Sequence, residues 1–181
     1  MRIAILTVSD AGARGERADT SGDAVAAWAT ARGHTVVARE LVPDESVAIV
    51  QRLLAWCDGD AAELVLTTGG TGLSARDITP EATAAVIERE ATGLVERIRV
   101  STLEPFPRAA LSRAMAGVRH RSLIVNLPGS TSGVRDALAA RDPVGAHAVA
   151  VLRGAVTEHP MDSADRAAEP NGVPSAGAAT S

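Results

Sequence analysis

Residues 63–83 read ELVLTTGGTGLSARDITPEAT, and this run constrains the fold more than any other part of the chain. Its apolar, β-branched opening, 63–68, fits a strand buried on both faces, the pattern of a parallel sheet. Gly69, Gly70 and Gly72 follow at once. They remove side chains where the chain leaves the strand, so backbone N–H groups can turn toward an anion and a ligand can come close. Thr79 as N-cap, Pro80 at the first helical position and Glu81 in the first turn predict a helix over 80–90. The run therefore reads as strand, glycine loop suited to phosphate, and helix, with Asp77 near the end of the loop.

The loop is neither of two familiar phosphate motifs. Gly70-x-Gly72-x-x-Ala75 nominally satisfies the dinucleotide pattern, but Pro80 starts the helix too late for the third small residue to pack helix on strand. A Walker loop is excluded because no Gly-Lys-Ser/Thr follows. All 18 basic residues are Arg, so lysine nucleophiles, Schiff bases and phosphate clamps are ruled out. Anion binding falls to Arg, backbone amides and metal. A formal charge of −4 with two Trp, one Phe and no Tyr leaves neither the basic stripe nor the stacking aromatics of a nucleic-acid binder, so no nucleic-acid partner is expected.

Cys57 is the sole cysteine, which excludes an intramolecular disulfide and a thiolate zinc site within one chain; it reads as helix core. The start, MRIAILTVSD, enters a strand directly without a signal-peptide pattern, and no apolar run approaches the ~20 residues of a membrane span. A cytoplasmic protein with no membrane partner is expected.

Strand patterns at 2–8, 34–42, 63–68 and 122–127 alternate with helical patterns at 21–32, 45–58, 80–90, one or two short helices between 93 and 115, and helices at 132–140 and 143–156. Alternation of this kind predicts an α/β fold, a parallel sheet with helices on both faces. Val47, Val50, Leu53, Leu54 and Cys57 share one side of a helix, and Val144, His147, Ala148, Val151 and Leu152 form a stripe on the last helix, with Asp142 as its N-cap. A single domain over 1–157 is expected. The remainder, 158–181, is rich in Ala, Gly, Pro, Ser, Asp and Glu, and is read as a disordered tail.

Ligands of open parallel sheets bind beyond the carboxyl ends of the strands. Three such loops carry polar residues: the one after the first strand (Ser9, Asp10, Arg14, Arg17, Asp19), the glycine loop, and 126–133, NLPGSTSG. One ligand can reach all three.

TTGGTGLSARDITPEAT, preceded by Pro43-Asp44-Glu45 and followed by LSRAMAGVR and NLPGS, resembles the molybdopterin-binding domain of the MogA/MoaB family of molybdenum-cofactor biosynthesis proteins, over residues 3–153. The resemblance implies a three-layer α/β/α sandwich with a mixed, mostly parallel sheet, assembled as a homotrimer. It also implies a molybdopterin adenylyltransferase. In that reaction the terminal phosphate of molybdopterin attacks the α-phosphate of ATP, giving adenylylated molybdopterin and pyrophosphate, with magnesium (Mg²⁺) as cofactor. A downstream molybdate-insertion protein is the implied protein partner. The chemistry is consistent: two phosphorylated substrates need a divalent cation, carboxylates to hold it, and amide or Arg donors. The nucleophile is already a phosphate oxygen, so positioning and electrostatics carry the reaction.

Carried onto this chain, the resemblance assigns Asp77 and Asp44 as catalytic and metal-organising carboxylates. Without it, Asp77 reads as an Asx-turn residue closing the loop and Asp44 as a helix N-cap. Asp10 is expected at nucleotide hydroxyls or base, or as a solvated loop residue. Gly69, Gly70, Thr71 and Gly72 are expected to give backbone donors to phosphate, while Asn126, Pro128, Gly129, Ser130 and Ser112 shape the pterin-phosphate pocket, Ser130 having a helix cap as its alternative. Arg76 pairs with phosphate or is a solvated cation, and Arg113 ties loops together. The four His residues have no mutual ligand spacing, and Trp28 and Trp56 read as packing residues. The chain departs from the family pattern at Ala75 and at Ser130-Thr131-Ser132, where lysine contacts must be replaced by backbone, hydroxyl or Arg. Two other functions stay open: a non-catalytic molybdopterin-binding or carrier protein of the same fold, and the related domain of competence-associated nucleotide hydrolases.

Overall fold

The computed structural model describes residues 1–155. The end of the expected domain at 156–157, the expected tail over 158–181 and His159 lie outside the described residues.

Six strands form one sheet: β1 (Arg2–Val8), β2 (Thr35–Val42), β3 (Leu64–Thr68), β4 (Arg89–Glu90), β5 (Ala116–Arg119) and β6 (Ser122–Leu127). The helices are α1 (Asp10–Ala13), α2 (Thr20–Ala31), α3 (Ser46–Asp58), α4 (Thr79–Ala84), α5 (Thr92–Leu103) and α6 (Thr131–Leu152), with a 3₁₀ turn at Pro107–Leu111. The spatial order is β2-β1-β3-β6-β5-β4. The four expected strands are parallel neighbours, and β5 and β4 extend the sheet as antiparallel pairs beside β6. Alternation along β1 places Ile3 and Ile5 in a core with Val25 of α2, Val95 and Ile98 of α5 and Val134 of α6. Ala4, Leu6 and Val8 point the other way, into a core with Ile49 and Leu53 of α3 and Ala82 of α4. Helices thus cover both faces, which is the three-layer sandwich expected.

Four local expectations fail, each for a physical reason. The helix expected over 80–90 stops at Ala84, because Val86 turns inward and Glu88 N–H donates to Val118 O at 2.8 Å, drawing the next residues into β4. Thr79 is inside α4 instead of capping it; its hydroxyl donates to Gly69 O at 2.9 Å. The two last helices are one, α6, running through residue 143. Packing of Ala137 and Leu138 before this point and Val149 after it holds the halves in line despite the missing N–H of a proline. Asp142 therefore caps nothing and accepts from Trp28 Nε1 at 3.2 Å. On α3 the buried side is Ile49, Leu53, Trp56 and Cys57, while Val47 is 69% exposed, so the stripe is rotated toward Trp56.

Among the described residues, no helix is long and apolar enough to cross a membrane.

Candidate active site

The sheet register assembles the site. Val42, Val8, Thr68 and Leu127 end β2, β1, β3 and β6, and pairings Val8↔Val42, Thr7↔Thr68 and Thr68↔Leu127 bring these ends level. β2 lies to one side of β1 and β3 to the other, so the chain direction across the sheet reverses at β1. A crevice opens at such a switch point. Asp44, Asp10, the glycine loop and the Pro128–Ser130 segment all leave strands there.

Asp10 and Asp44 are locked together. Asp10 N–H donates to Asp44 Oδ2 at 2.7 Å, and Asp44 N–H donates to Asp10 Oδ1 at 3.0 Å. The N-cap of α3 is Glu45, which makes no side-chain cap bond, so Asp44 does not cap that helix. Arg76 grips Asp10 with both prongs, Nε to Oδ2 at 3.0 Å and Nη2 to Oδ1 at 2.8 Å, and holds its carboxyl below the usual carboxylate range. In this arrangement Arg76 pairs with Asp10 and bridges the glycine loop to α1. Asp44 is pushed the other way: burial raises its pKa, and the charges of Asp10 and Asp77 add to the rise.

The glycine loop is built back to front. Gly69 O accepts from Thr79 Oγ1 at 2.9 Å and Gly70 O from Thr79 N–H at 3.0 Å. Thr71 O accepts from Arg113 N–H at 2.9 Å and Gly72 O from Arg113 Nε at 2.7 Å. In a trans peptide the N–H points opposite to its C=O. With four successive carbonyls pinned by Thr79 and Arg113, the N–H groups of Gly70, Thr71, Gly72 and Leu73 face away from those anchors. Among the described residues none of these four donates to an acceptor. They form a row of free donors of the kind that binds anions. Gly69 is different: its N–H is directed at Leu127 O, 3.4 Å away, so its role is to let strands approach, not to donate to phosphate. It has φ +98°, and a Cβ there would lie 2.2 Å from Val8 O. Arg113 Nη1 and Nη2 also reach Glu81 Oε1 and Asp77 O, so this arginine does tie the loop to α4.

Asp77 Oδ2 accepts from Ser74 N–H at 2.8 Å, which closes the loop as an Asx turn does, while Oδ1 has no partner among the described residues. The same side chain therefore shapes the loop and keeps one oxygen available. In the third loop, Pro128 O accepts from Thr68 Oγ1 at 2.7 Å, and Gly129 lies against Gly69 Cα, where a Cβ would sit 3.2 Å away. Ser130 caps α6, its Oγ accepting from Gly133 N–H at 3.1 Å. Asn126 is 1% exposed and its amide is spent internally: Nδ2 donates to Thr67 and Thr83 hydroxyls, both at 2.9 Å, and Oδ1 accepts from Met115 N–H at 3.0 Å. It places the strand end instead of presenting a free donor.

Two cavities meet at these loops. One, of about 470 Å³, lies over β1 and β2 and is lined by Ser9, Arg17, Asp19, Asp44 and Gly69 among others. The other, of about 310 Å³, is walled by Val95, Ile98, Arg99 and Phe106, with Ser112, Asn126 and Pro128 opposite. Gly70, Asp77, Gly129 and Ser130 line both. Of the residues expected from sequence at phosphate, metal or pocket, Asp10 and Arg76 line neither cavity, Asp10 being bonded to Asp44 and Arg76 to Asp10, and the others line one cavity or both. Sequence reasoning missed Arg99, Arg108 and Asp136, which line the smaller cavity. A signal existed for Arg99: Val95, Ile98, Arg99 and Thr102 recur at helical spacing and face the cavity together.

Among the described residues no group of three or more His, Cys, Asp or Glu side chains is placed to hold a metal by itself. The donor set fits a cation shared with a phosphorylated ligand. Asp44 and Asp77 face one cavity, and the raised pKa of Asp44 reflects burial and negative neighbours that a cation would relieve. Mg²⁺ is commonly bound in this way, through one or two carboxylates plus phosphates and waters.

The sequence profile of the family described as "Probable molybdopterin binding domain" matches residues 4–141. The chain is 43% identical over 137 residues to Molybdenum cofactor biosynthesis protein B of Escherichia coli K12, covering 75% of this chain and 79% of that protein. It is 38% identical over 156 residues to the Molybdopterin adenylyltransferase of Helicobacter pylori J99, covering 85% and 89%. The crystal structure of the molybdopterin biosynthesis enzyme MoaB from Thermus thermophilus superposes with a TM-score of 0.80 at 50% identity, over 84% of this chain and 96% of that one.

Proposed function

The chain belongs to the molybdopterin-binding domain family of molybdenum-cofactor biosynthesis proteins, and on that premise we propose that it is an Mg²⁺- and ATP-dependent molybdopterin adenylyltransferase. One observation carries the reading: two cavities of different character share a wall formed by Gly70, Asp77, Gly129 and Ser130. A transfer between two phosphorylated substrates needs two sites whose phosphate ends touch.

The larger cavity, with Asp44 and Asp77 on its wall, suits the nucleotide triphosphate. The smaller one, with apolar faces from Val95, Ile98 and Phe106 and cations from Arg99 and Arg108, suits a flat heterocycle carrying a phosphate. Asp44 and Asp77 would hold Mg²⁺, which when bound supplies neutralisation of phosphate charge. The free N–H groups of Gly70, Thr71 and Gly72 receive phosphate oxygens at the junction. The terminal phosphate of molybdopterin attacks the α-phosphate of ATP; the new P–O bond forms as the bond to pyrophosphate breaks, and pyrophosphate leaves with the electron pair. Because Thr79 and Arg113 fix the donors beforehand, little reorganisation accompanies the charge shift.

We also assign the chain a cytoplasmic location, a homotrimeric assembly and a downstream molybdate-insertion protein as recipient of the product. Sedimentation equilibrium at micromolar concentration tests the trimer, and a monomer there refutes it. The function is tested by anaerobic incubation with molybdopterin and Mg-ATP, following adenylylated molybdopterin and pyrophosphate by chromatography. Product requiring both substrates supports the enzyme; bound pterin without product makes the carrier reading the right one.

A further inference from the structure

We infer that Asp136 is a specificity residue, reading the hydrogen-bond donor edge of the bound pterin, its 2-amino group and N3–H. This inference rests on the assignment of the smaller cavity to the pterin substrate.

Asp136 lines that cavity together with Gly133 in the first turns of α6 and Ser130 at its N-cap, at three-residue spacing. At 1.5 Å of rise per residue, Ser130 and Asp136 are separated by roughly 9 Å along the helix. The cavity thus has a carboxylate on its wall about that far along the helix from the phosphate junction at Ser130. That span is on the scale of a pterin ring system with a phosphate at its other end.

The carboxylate has no structural task that explains it. It lies beyond the first turn of α6, which holds no acidic residue, so the helix dipole does not call for it. Ser130, not Asp136, makes the cap. Among the described residues the Asp136 carboxylate has no hydrogen bond or ion pair. A negative charge in a cavity that receives a phosphorylated ligand opposes binding unless the ligand offers donors to it. The 2-amino and N3–H groups of a pterin are two adjacent, parallel donors, and a carboxylate accepts such a pair through its two oxygens. The other wall supplies the complement: Arg108 has no acceptor among the described residues, and Arg99 makes a single bond, from Nη2 to Ser112 O at 3.2 Å. Two carboxylates and two guanidinium groups thus line this cavity, Asp77 at the junction, Asp136 on α6, Arg99 on α5 and Arg108 on the 3₁₀ turn, and of the two carboxylates Asp136 alone lies away from the shared wall.

The test compares two small ligands that differ at one position: 6-hydroxymethylpterin, and the corresponding lumazine, in which the 2-amino group is replaced by an oxo group. Affinities are measured by ligand fluorescence for the wild type, Asp136→Ala and Asp136→Glu, with molybdopterin and ATP binding measured in parallel. Asp136 is exposed on a helix and alanine is a strong helix former, so the variant should fold, which a thermal melt checks. The wild type should prefer the pterin by roughly 10- to 100-fold, the range for losing a hydrogen bond to a charged group. Asp136→Ala should lose that preference, Asp136→Glu should keep part of it, and ATP affinity should not move. Wild type that binds molybdopterin while Asp136→Ala keeps the full preference overturns this inference and leaves the function standing. Wild type that binds no pteridine overturns both.

Discussion

Asp10 and Asp44 each hold the other's backbone: Asp44 Oδ2 accepts from Asp10 N–H at 2.7 Å, and Asp10 Oδ1 accepts from Asp44 N–H at 3.0 Å. The reciprocal bonds join the ends of β1 and β2 and force two carboxylates together. Arg76 compensates Asp10, and Asp44 keeps the surplus charge beside the cavity. This geometry separates a structural function, accepting an N–H, from an electrostatic one, attracting a cation.

Asp44→Asn separates the two experimentally. The amide oxygen still accepts from Asp10 N–H and the buried charge is gone, so the melting temperature should hold or rise slightly, while turnover falls by about 2–4 kcal/mol of barrier and half-saturation by Mg²⁺ rises. Because the folded pKa of Asp44 is raised, the folded protein takes up this proton more readily than the unfolded chain. Its ionised form costs stability at neutral pH, and that cost is relieved as pH falls through the raised value. Activity should therefore fade on the acid side, and more Mg²⁺ should move that limb to lower pH, since cation and proton compete for one carboxylate. Titration of activity against pH at two Mg²⁺ concentrations checks this.

Gly69→Ala should destabilise the fold by roughly 3 kcal/mol or more, because a Cβ would lie 2.2 Å from Val8 O at a residue with φ +98°. Denaturant unfolding measures it. A change below about 1 kcal/mol would contradict the close approach of β1 and the glycine loop.

Asn126→Ala should cost about 3 kcal/mol by leaving Met115 N–H and the Thr67 and Thr83 hydroxyls without their partner in a buried setting. Its effect on stability should exceed its effect on pterin affinity, as the amide has no donor left for a ligand. The reverse order would return Asn126 to the role of a direct contact.

The parallel strands and the glycine loop were legible because burial on both faces and a run of glycines leave local signatures in residues 63–72. β4 and β5 were not, since two residues of Arg-Glu and a short Ala-Gly-Val-Arg segment become strands only by pairing with each other and with β6. Asp142 and residue 143 looked like a helix boundary, and packing overruled them. Within the site, the family resemblance pointed to Asp44 and Asp77 where residue types alone read as a helix cap and an Asx turn, and the identity of the atoms left free followed from neither. Thr79 read as a cap acts as an anchor for a carbonyl, and the division of labour between Gly69 and Gly70 depends on which N–H faces Leu127.

Cys57 is buried in α3, and burial pushes its thiol from the usual value near 9 up to about 11. The unfolded chain therefore loses this proton at lower pH than the folded one, and folding stability should fall from about pH 9 to pH 11. The slope approaches about 1.4 kcal/mol per pH unit for one proton. Cys57→Ala should flatten that part of the profile, and the native thiol should resist aqueous thiol reagents at neutral pH. Unfolding curves at several alkaline pH values decide the matter.

The most direct test of the junction is single-turnover adenylylation by Asp77→Asn, with ATP and molybdopterin affinities measured on the same protein. Asp77 lines both cavities and keeps Oδ1 unengaged while Oδ2 holds the loop. The account predicts that both substrates still bind and that adenylylated molybdopterin and pyrophosphate form about 10²- to 10³-fold more slowly. Unchanged turnover would contradict it, since the phosphates would then meet somewhere other than the wall that the two cavities share.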